Sequence, residues 1–252
     1  PPGQPRGLGK LLQLRVQWSH FGGTWGVYQD GIRNDSDERG AKLMAGSPYW
    51  RDYSLEADVK LLGEDGDAGL IVRSSDEEQG VDSYSGYYAG LRARDNRLAL
   101  GRANHGWQED QTAPMPESVQ AFQWYHLKVL AYGCHIVASA TFPLNSRNTT
   151  TVALTDRDCL KSGRIGLRSY SSGGIWRNVQ ARPATLADLR AMLAQVRTLP
   201  EPHSRTDMTM FGSGSLPSHV EMEPALPEAA VQSISSLRLA PSSHTTRSTI
   251  RG

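Results

Sequence analysis

Apolar and polar positions alternate with a period of two through most of the first 182 residues. Leu12, Leu14, Val16 and Trp18 alternate with Gln13, Arg15 and Gln17, and Leu55, Ala57, Val59 and Leu61 alternate with Glu56, Asp58 and Lys60. That is the pattern of strands that bury one face. Comparable runs fall at 68–73, 87–92, 97–102, 124–130, 135–141, 164–168 and 175–182. Turn-forming stretches separate them: Gly63 to Gly66, Asp95-Asn96, Asn104 to Gly106, Tyr132-Gly133 and Ser171 to Gly174. Short strands joined by turns, with no helical stretch before residue 185, predict an all-β fold, an antiparallel β-sandwich of the jelly-roll kind. No repeat of fixed length is present, which argues against a propeller.

The pattern changes after residue 182. Leu186, Leu189, Met192, Leu193 and Val196 recur at helical spacing, with Thr185 placed as N-cap, Asp188 in the first turn and Pro200 closing the run. One short amphipathic helix is expected, docked on the sandwich through its apolar stripe. Residues 201–232 read as a linker, and alternation resumes at Ile234, Leu237 and Leu239. The organisation predicted is a sandwich domain over 1–182, a short helix within 183–200, a linker over 201–232 and the truncated start of a further domain over 233–252. A first residue of Pro1 rather than Met adds to the reading of a piece of a larger multidomain protein, covalently joined to downstream domains. Composition sharpens the division. All aromatic residues but Phe211 lie at or before Trp176, and half of the 14 prolines lie from Pro183 onward, so the large side chains that build a core belong to the first part.

Charge narrows the partners. With 27 basic against 26 acidic residues and a formal net charge of +1, the chain has no electrostatic footprint for nucleic acid or an anionic membrane. No run approaches the roughly 18 apolar residues of a spanning helix, so membrane insertion by this segment is not expected. Two cysteines supply neither the staples of a small secreted domain nor a four-thiolate metal site. Cys134 and Cys159 are expected as two thiols; the alternative is a bridge, which requires neighbouring strands and export. The chain has no Gly-x-Ser-x-Gly elbow, no His-Glu-x-x-His, no Cys-x-x-Cys and no phosphate loop. The sequons Asn34-Asp35-Ser36 and Asn148-Thr149-Thr150 matter only in a glycosylating host.

Six blocks in order carry a resemblance: Tyr53-Ser54-Leu55-Glu56-Ala57-Asp58-Val59, Gly69-Leu70-Ile71-Val72-Arg73, Gly86-Tyr87-Tyr88-Ala89-Gly90-Leu91, Trp124-Tyr125-His126-Leu127-Lys128-Val129, Gly163-Arg164-Ile165-Gly166-Leu167-Arg168 and Trp176-Arg177-Asn178-Val179. Over about Trp18 to Arg182 these resemble the concanavalin-like jelly-roll superfamily of laminin-G-like domains, family 66 carbohydrate-binding modules and 3-keto-disaccharide hydrolase-like domains. The resemblance implies the sandwich fold and a role in glycan recognition or glycoside chemistry. One departure stands out. Such chains often carry an Asp-Gly or Asn-Gly hairpin after the Trp-Tyr strand, and the stretch after Ile136 has none, so a longer loop or a shifted register is expected there.

Candidate ligand-binding residues follow from chemistry that suits sugars. Carboxylates and guanidinium groups bond hydroxyls in fixed directions, and aromatic faces stack on sugar rings. Glu56, Asp58, Arg73, Tyr87, Tyr88, Arg92, Arg102 and Trp107 form the candidate set, on one sheet face or the loops at one edge; the bland alternative is a solvated face of cross-strand ion pairs. Glu56 and Asp58, two apart on one strand, are the weak candidates for an acid/base pair. Asp35 and Asp37, in a Gly-containing acidic loop, are the weak candidates for a metal, calcium being the ion weighed; Glu64, Asp65 and Asp67 make a second acidic turn. Trp18, Trp25, Trp50 and Trp176 are assigned to the core, His126 to a structural role, and Trp107 to the surface in a turn. The function expected is a noncatalytic carbohydrate-binding or ligand-sensing module with an oligosaccharide partner and no cofactor, extracellular or periplasmic. The alternatives are a hydrolase or lyase acting on 3-keto-glycosides or related glycosides, and a structural or protein-interaction spacer.

Overall fold

Among the described residues the chain forms fourteen strands in two layers, the period-two runs from 55 onward among them. The computed structural model describes residues 17–142 and 148–196, so all but the last two residues of the expected strand over Leu12 to Trp18, the linker and the start of a further domain lie outside the described residues. The strands are β1 (Ser19–Phe21), β2 (Trp25–Tyr28), β3 (Gly31–Asn34), β4 (Ala41–Ala45), β5 (Tyr53–Leu61), β6 (Asp67–Ser75), β7 (Ser85–Arg92), β8 (Arg97–Asn104), β9 (Trp107–Pro114), β10 (Trp124–Tyr132), β11 (His135–Thr141), β12 (Thr149–Thr155), β13 (Arg164–Tyr170) and β14 (Gly174–Pro183), followed by helix α1 (Leu186–Leu193). Sheet A has the order β1-β4-β13-β6-β7-β8-β9, and sheet B the order β12-β11-β10-β5-β14-β3-β2. All pairings of neighbouring strands within each sheet are antiparallel, so the fold is the antiparallel sandwich expected.

The alternation decides which residues meet between the layers. Leu55, Ala57, Val59 and Leu61 of β5 pack with Leu70 and Val72 of β6, Leu98 and Leu100 of β8, and Leu127 and Val129 of β10. Each of these leucines and valines, fully buried, stabilises the fold by roughly 1.5–3 kcal/mol before chain entropy is counted. Trp176 is completely buried, its indole nitrogen donating to the Gly69 carbonyl at 3.1 Å and its ring 5.4 Å from that of Trp25. Trp18, Trp25 and Trp50 pack against the same core, as assigned.

Every run placed from 55 onward lies in a strand; β1 to β4, β9 and β12 carry no such signal. Ala41–Ala45 is buried on both faces and so does not alternate. Trp107–Pro114 is a polar edge strand, which moves Trp107 from the expected turn onto β9. The hairpin after the Trp-Tyr strand also sits elsewhere than expected. Tyr132 pairs with His135, so Gly133-Cys134 forms a two-residue turn with Gly133 at φ 55°; the turn precedes Ile136, and no long loop replaces it.

The cysteine expectation is corrected. Cys134 and Cys159 form a disulfide, Cα to Cα 5.4 Å, because the β10–β11 turn and the loop after β12 meet, the Asp156 amide donating to the Cys134 carbonyl at 3.1 Å. The helix forms where expected. Thr185 and Asp188 build a reciprocal capping box, and Leu189 and Met192 bury against Leu130 and Val137 on the outer face of sheet B.

Candidate functional site

Register places three parallel rows of residues across the outer face of sheet A. One runs Lys42, Arg168, Gly69, Gly90, Ala99. The second runs Met44, Gly166, Ile71, Tyr88, Gly101, Glu109. The third runs Tyr170, Asp67, Arg92, Arg97. Directly opposed residues share a face, so glycines and an alanine occupy the middle of the face, and large side chains from the flanking rows lie down over them. The Tyr88 ring lies over Gly90 and the Trp107 ring over Gly101, where a Cβ would collide with each. Glycine is needed here to leave room for those rings.

Arg168 is the centre of the arrangement. Its guanidinium stacks 4.5 Å from the centroid of Tyr88 and 5.4 Å from that of Tyr170. It donates to Asp67 Oδ1 at 3.2 Å and Asp82 Oδ1 at 2.7 Å. The Tyr88 hydroxyl donates to the same Asp67 oxygen at 2.6 Å. Burial disfavours the Arg168 charge, but Asp67, Tyr84, Tyr88 and Asp82 outweigh it, so the group stays protonated. Burial pushes the Asp67 carboxyl up, against the opposing pull of Arg168 and the Tyr88 hydrogen bond. Lys42, wholly buried, donates to the Gly40 and Gly80 carbonyls at 3.2 and 2.8 Å; burial, with Arg168 beside it, lowers its pKa to about 8. Through Gly80, Asp82 and Tyr84 the segment between β6 and β7 folds over the β4–β13 side of the face.

The β7–β9 side presents its groups outward. Trp107 is 36% exposed and meets Tyr88 edge-on at 5.9 Å. Arg92 bridges Glu109 and Asp95. Among the described residues, the second oxygens of Asp67 and Asp82 have no hydrogen-bond partner. The Arg168 Nε and the Tyr84 hydroxyl are likewise buried without one. The face therefore combines an exposed indole, a rim of forked charges and fixed acceptors over a rigid floor.

The eight candidate residues do not gather in one place; they fall in three. Tyr88, Arg92 and Trp107 come together here, on sheet A. Glu56 and Asp58 lie on the outer face of sheet B, where His126 stands 3.1 Å from Asp58 and 3.8 Å from Glu56. Burial would raise Asp58, but hydrogen bonds from His126, Asn178 and Arg177 outweigh it and lower its pKa, which suits an ion-pair anchor rather than a proton donor. The neighbouring Trp124 ring already carries two cations, Lys60 at 4.4 Å and Arg177 at 4.0 Å from its centroid, which would compete with a sugar for its faces. Arg73, Tyr87 and Arg102 brace loops. Arg73 is 1% exposed and donates to the carbonyls of Arg51, Gly133 and Leu160. Tyr87 donates to Asp156 at 2.7 Å, and Arg102 donates to the same oxygen at 2.9 Å.

Asp67, Asp82, Glu109 and Arg168 are site groups that sequence reasoning did not assign. Asp67 drew notice only within an acidic turn, and Arg168 only as part of a strand. The legible signal is the recurrence of Gly69, Gly90, Gly101 and Gly166 inside strand patterns, each an outward position stripped of its side chain. Asp35 pairs with Arg33 and Glu38 accepts from the Gly23 amide; among the described residues no three His, Cys, Asp or Glu side chains gather as a metal site. The Asn34 sequon is closed as well, its side chain buried and donating to Ser169.

Comparison with known proteins bears on the fold. The family model described as a 3-keto-alpha-glucoside-1,2-lyase-like domain matches residues 12–182, about two thirds of the chain. No curated protein matches. Among solved structures, the carbohydrate-binding module CBM66 from Bacillus subtilis superimposes with a TM-score of 0.56 at 18% identity, covering 66% of this chain and 94% of that one. A Bacillus subtilis protein of unknown function with a galectin-like fold gives 0.52 at 13% identity, covering 67% and 90%. The exoplasmic/lumenal domain of VIP36, in its Ca2+/Man3GlcNAc-bound form, gives 0.51 at 14% identity, covering 67% and 84%. At these identities the likeness is one of fold.

Proposed function

The chain belongs to the family of 3-keto-alpha-glucoside-1,2-lyase-like domains, and from that membership we propose that it is a carbohydrate-recognition module whose ligand lies on the outer face of sheet A. The observation that carries this reading is the pairing of a half-exposed Trp107 with the Asp67–Arg168–Asp82 cluster across a floor of glycines. The indole offers a stacking surface for a sugar ring, and the free carboxylate oxygens and the Arg92 and Glu109 rim offer directional partners for hydroxyls. Near-neutral net charge suits a ligand recognised by such bonds rather than by field. The neighbours' printed descriptions, a carbohydrate-binding module and a mannose-oligosaccharide-bound lumenal domain, support the class of ligand and agree with an extracellular or lumenal setting, as does the disulfide. Among the described residues no helix is long and apolar enough to cross a membrane.

Calorimetric titration with a panel of neutral oligosaccharides tests the reading. Trp107→Ala is expected to weaken binding about fivefold, stacking being worth on the order of 1 kcal/mol, while Asp58→Asn on the other sheet leaves it unchanged. Equal affinity in wild type and Trp107→Ala overturns the site. A second reading, elimination from a 3-keto-glycoside, is favoured by one observation, the raised carboxyl of Asp67 on that face. A carboxyl so held is suited to move a proton beside a ketone, and on this reading the same panel in 3-keto form is consumed by the wild type and not by Asp67→Asn.

A further inference from the structure

The disulfide stands apart from the sheet A face and carries chemistry of its own. Lys161, exposed on the loop after β12, places its ammonium 2.9 Å from the Cys134 sulfur and 3.0 Å from the Cys159 sulfur. The two cysteines differ in exposure. Cys134, in the β10–β11 turn, is half-buried, whereas Cys159 is 8% exposed. We propose that this pair is a thiol-exchange site, at which a small thiolate attacks the Cys134 sulfur, Cys159 departs as a thiolate onto the Lys161 ammonium, and Cys134 is left in mixed disulfide with the incoming thiol.

Electrons and atoms balance within the exchange. The new sulfur–sulfur bond forms between the incoming thiolate and Cys134 as the Cys134–Cys159 bond breaks, the electron pair of that bond passing to Cys159, and no external oxidant is used. A nearby ammonium lowers the basicity of a departing thiolate, and a less basic thiolate leaves faster. Lys161 lies two residues from Cys159 on the same loop, so it stays beside that sulfur when the bridge opens. The surroundings hold the two loops together without the bridge. One guanidinium nitrogen of Arg73 donates to the carbonyls of Gly133 and Leu160, both at 2.7 Å, the residues adjoining each cysteine. The Leu160 amide donates to the Tyr87 hydroxyl at 3.0 Å, and the Asp156 amide to the Cys134 carbonyl at 3.1 Å. The opened form therefore keeps Cys159 beside Cys134, ready to expel the adduct and close again.

The test is incubation of the folded, oxidised protein with reduced glutathione as the probe thiol, followed by acid quench, intact mass and peptide mapping. The expected result is a single adduct on Cys134, formed without denaturant, with an initial rate about tenfold lower in Lys161→Ala and retained in Lys161→Arg. Circular dichroism of each variant checks that this exposed substitution leaves the fold intact. Mapping of the adduct to Cys159, a rate unchanged in Lys161→Ala, or reaction only in denaturant overturns the proposal. Binding at the sheet A face is read separately and does not enter these outcomes.

Discussion

Arg168 shows how much one residue decides. It is buried between two tyrosines and neutralised by two carboxylates, and removal of one member of such a cluster leaves the others charged and without a partner. Arg168→Met is expected to destabilise the domain by about 3–5 kcal/mol in denaturant titration, and Asp67→Asn in the same background is expected to recover part of that loss. A loss below 1 kcal/mol in the single variant means that solvent already reaches the cluster. At this scale the sequence was least legible. Alternation tells which residues leave the core, but not whether an outward charge stays exposed, as Asp35 does beside Arg33, or is covered by another loop, as Lys42 and Arg168 are. Arg73 is the sharpest instance. It ends a strand pattern as a solvent-facing arginine would, yet its backbone takes φ 53° at an irregularity in β6 and its side chain turns into the molecule to collect carbonyls. Nothing in a single chain marks that turn, because the carbonyls it meets are 22, 60 and 87 residues away.

Elements were more legible than residues, since periodicity reports burial directly. Strands with one wet face announce themselves; β4, dry on both sides, and β9, an edge strand of polar residues, do not. The helix combined every local cue, from cap to stripe. Eight residues are too few to hold a helix in water unaided, so α1 persists through Leu189 and Met192 on the sheet and through its capping box. Leu189→Ala is expected to cost about 2–4 kcal/mol locally and Thr185→Ala about 1 kcal/mol. Amide hydrogen exchange separates the two scales: the helix amides are expected to lose protection in Leu189→Ala while those of β10 and β11 keep it. Loss of protection across the whole of sheet B refutes the view that the helix is a docked appendage.

For the molecule as a whole, acid is the informative stress. Asp58 and Asp156 are both partly buried, which raises their pKa values, yet hydrogen bonds and nearby cations outweigh this and hold them below the usual carboxylate range. Their contribution is fully present above the unfolded value near pH 4 and is lost as the pH falls through the depressed native values. Asp67 is raised and has the opposite sign: its protonation relieves a buried charge, and so offsets part of the loss. Thermal unfolding is expected to show a melting temperature lower by on the order of a few degrees at pH 3 than at pH 6, with a smaller difference in Asp156→Asn; an equal drop in that variant shows that Asp156 is not among the groups responsible. The division of polar residues between two outer faces, which the strand order of a jelly roll imposes and no linear pattern reveals, also has an optical consequence. Of the six tryptophans, only Trp107 is both among the most exposed large side chains and on the sheet A face; Trp176 is sealed in the core and Trp124 is shielded by two cations. The part of the red-edge emission and of the iodide quenching that disappears in Trp107→Ala therefore belongs to that ring, and through it the protein carries its own unlabelled reporter of whatever settles on that face.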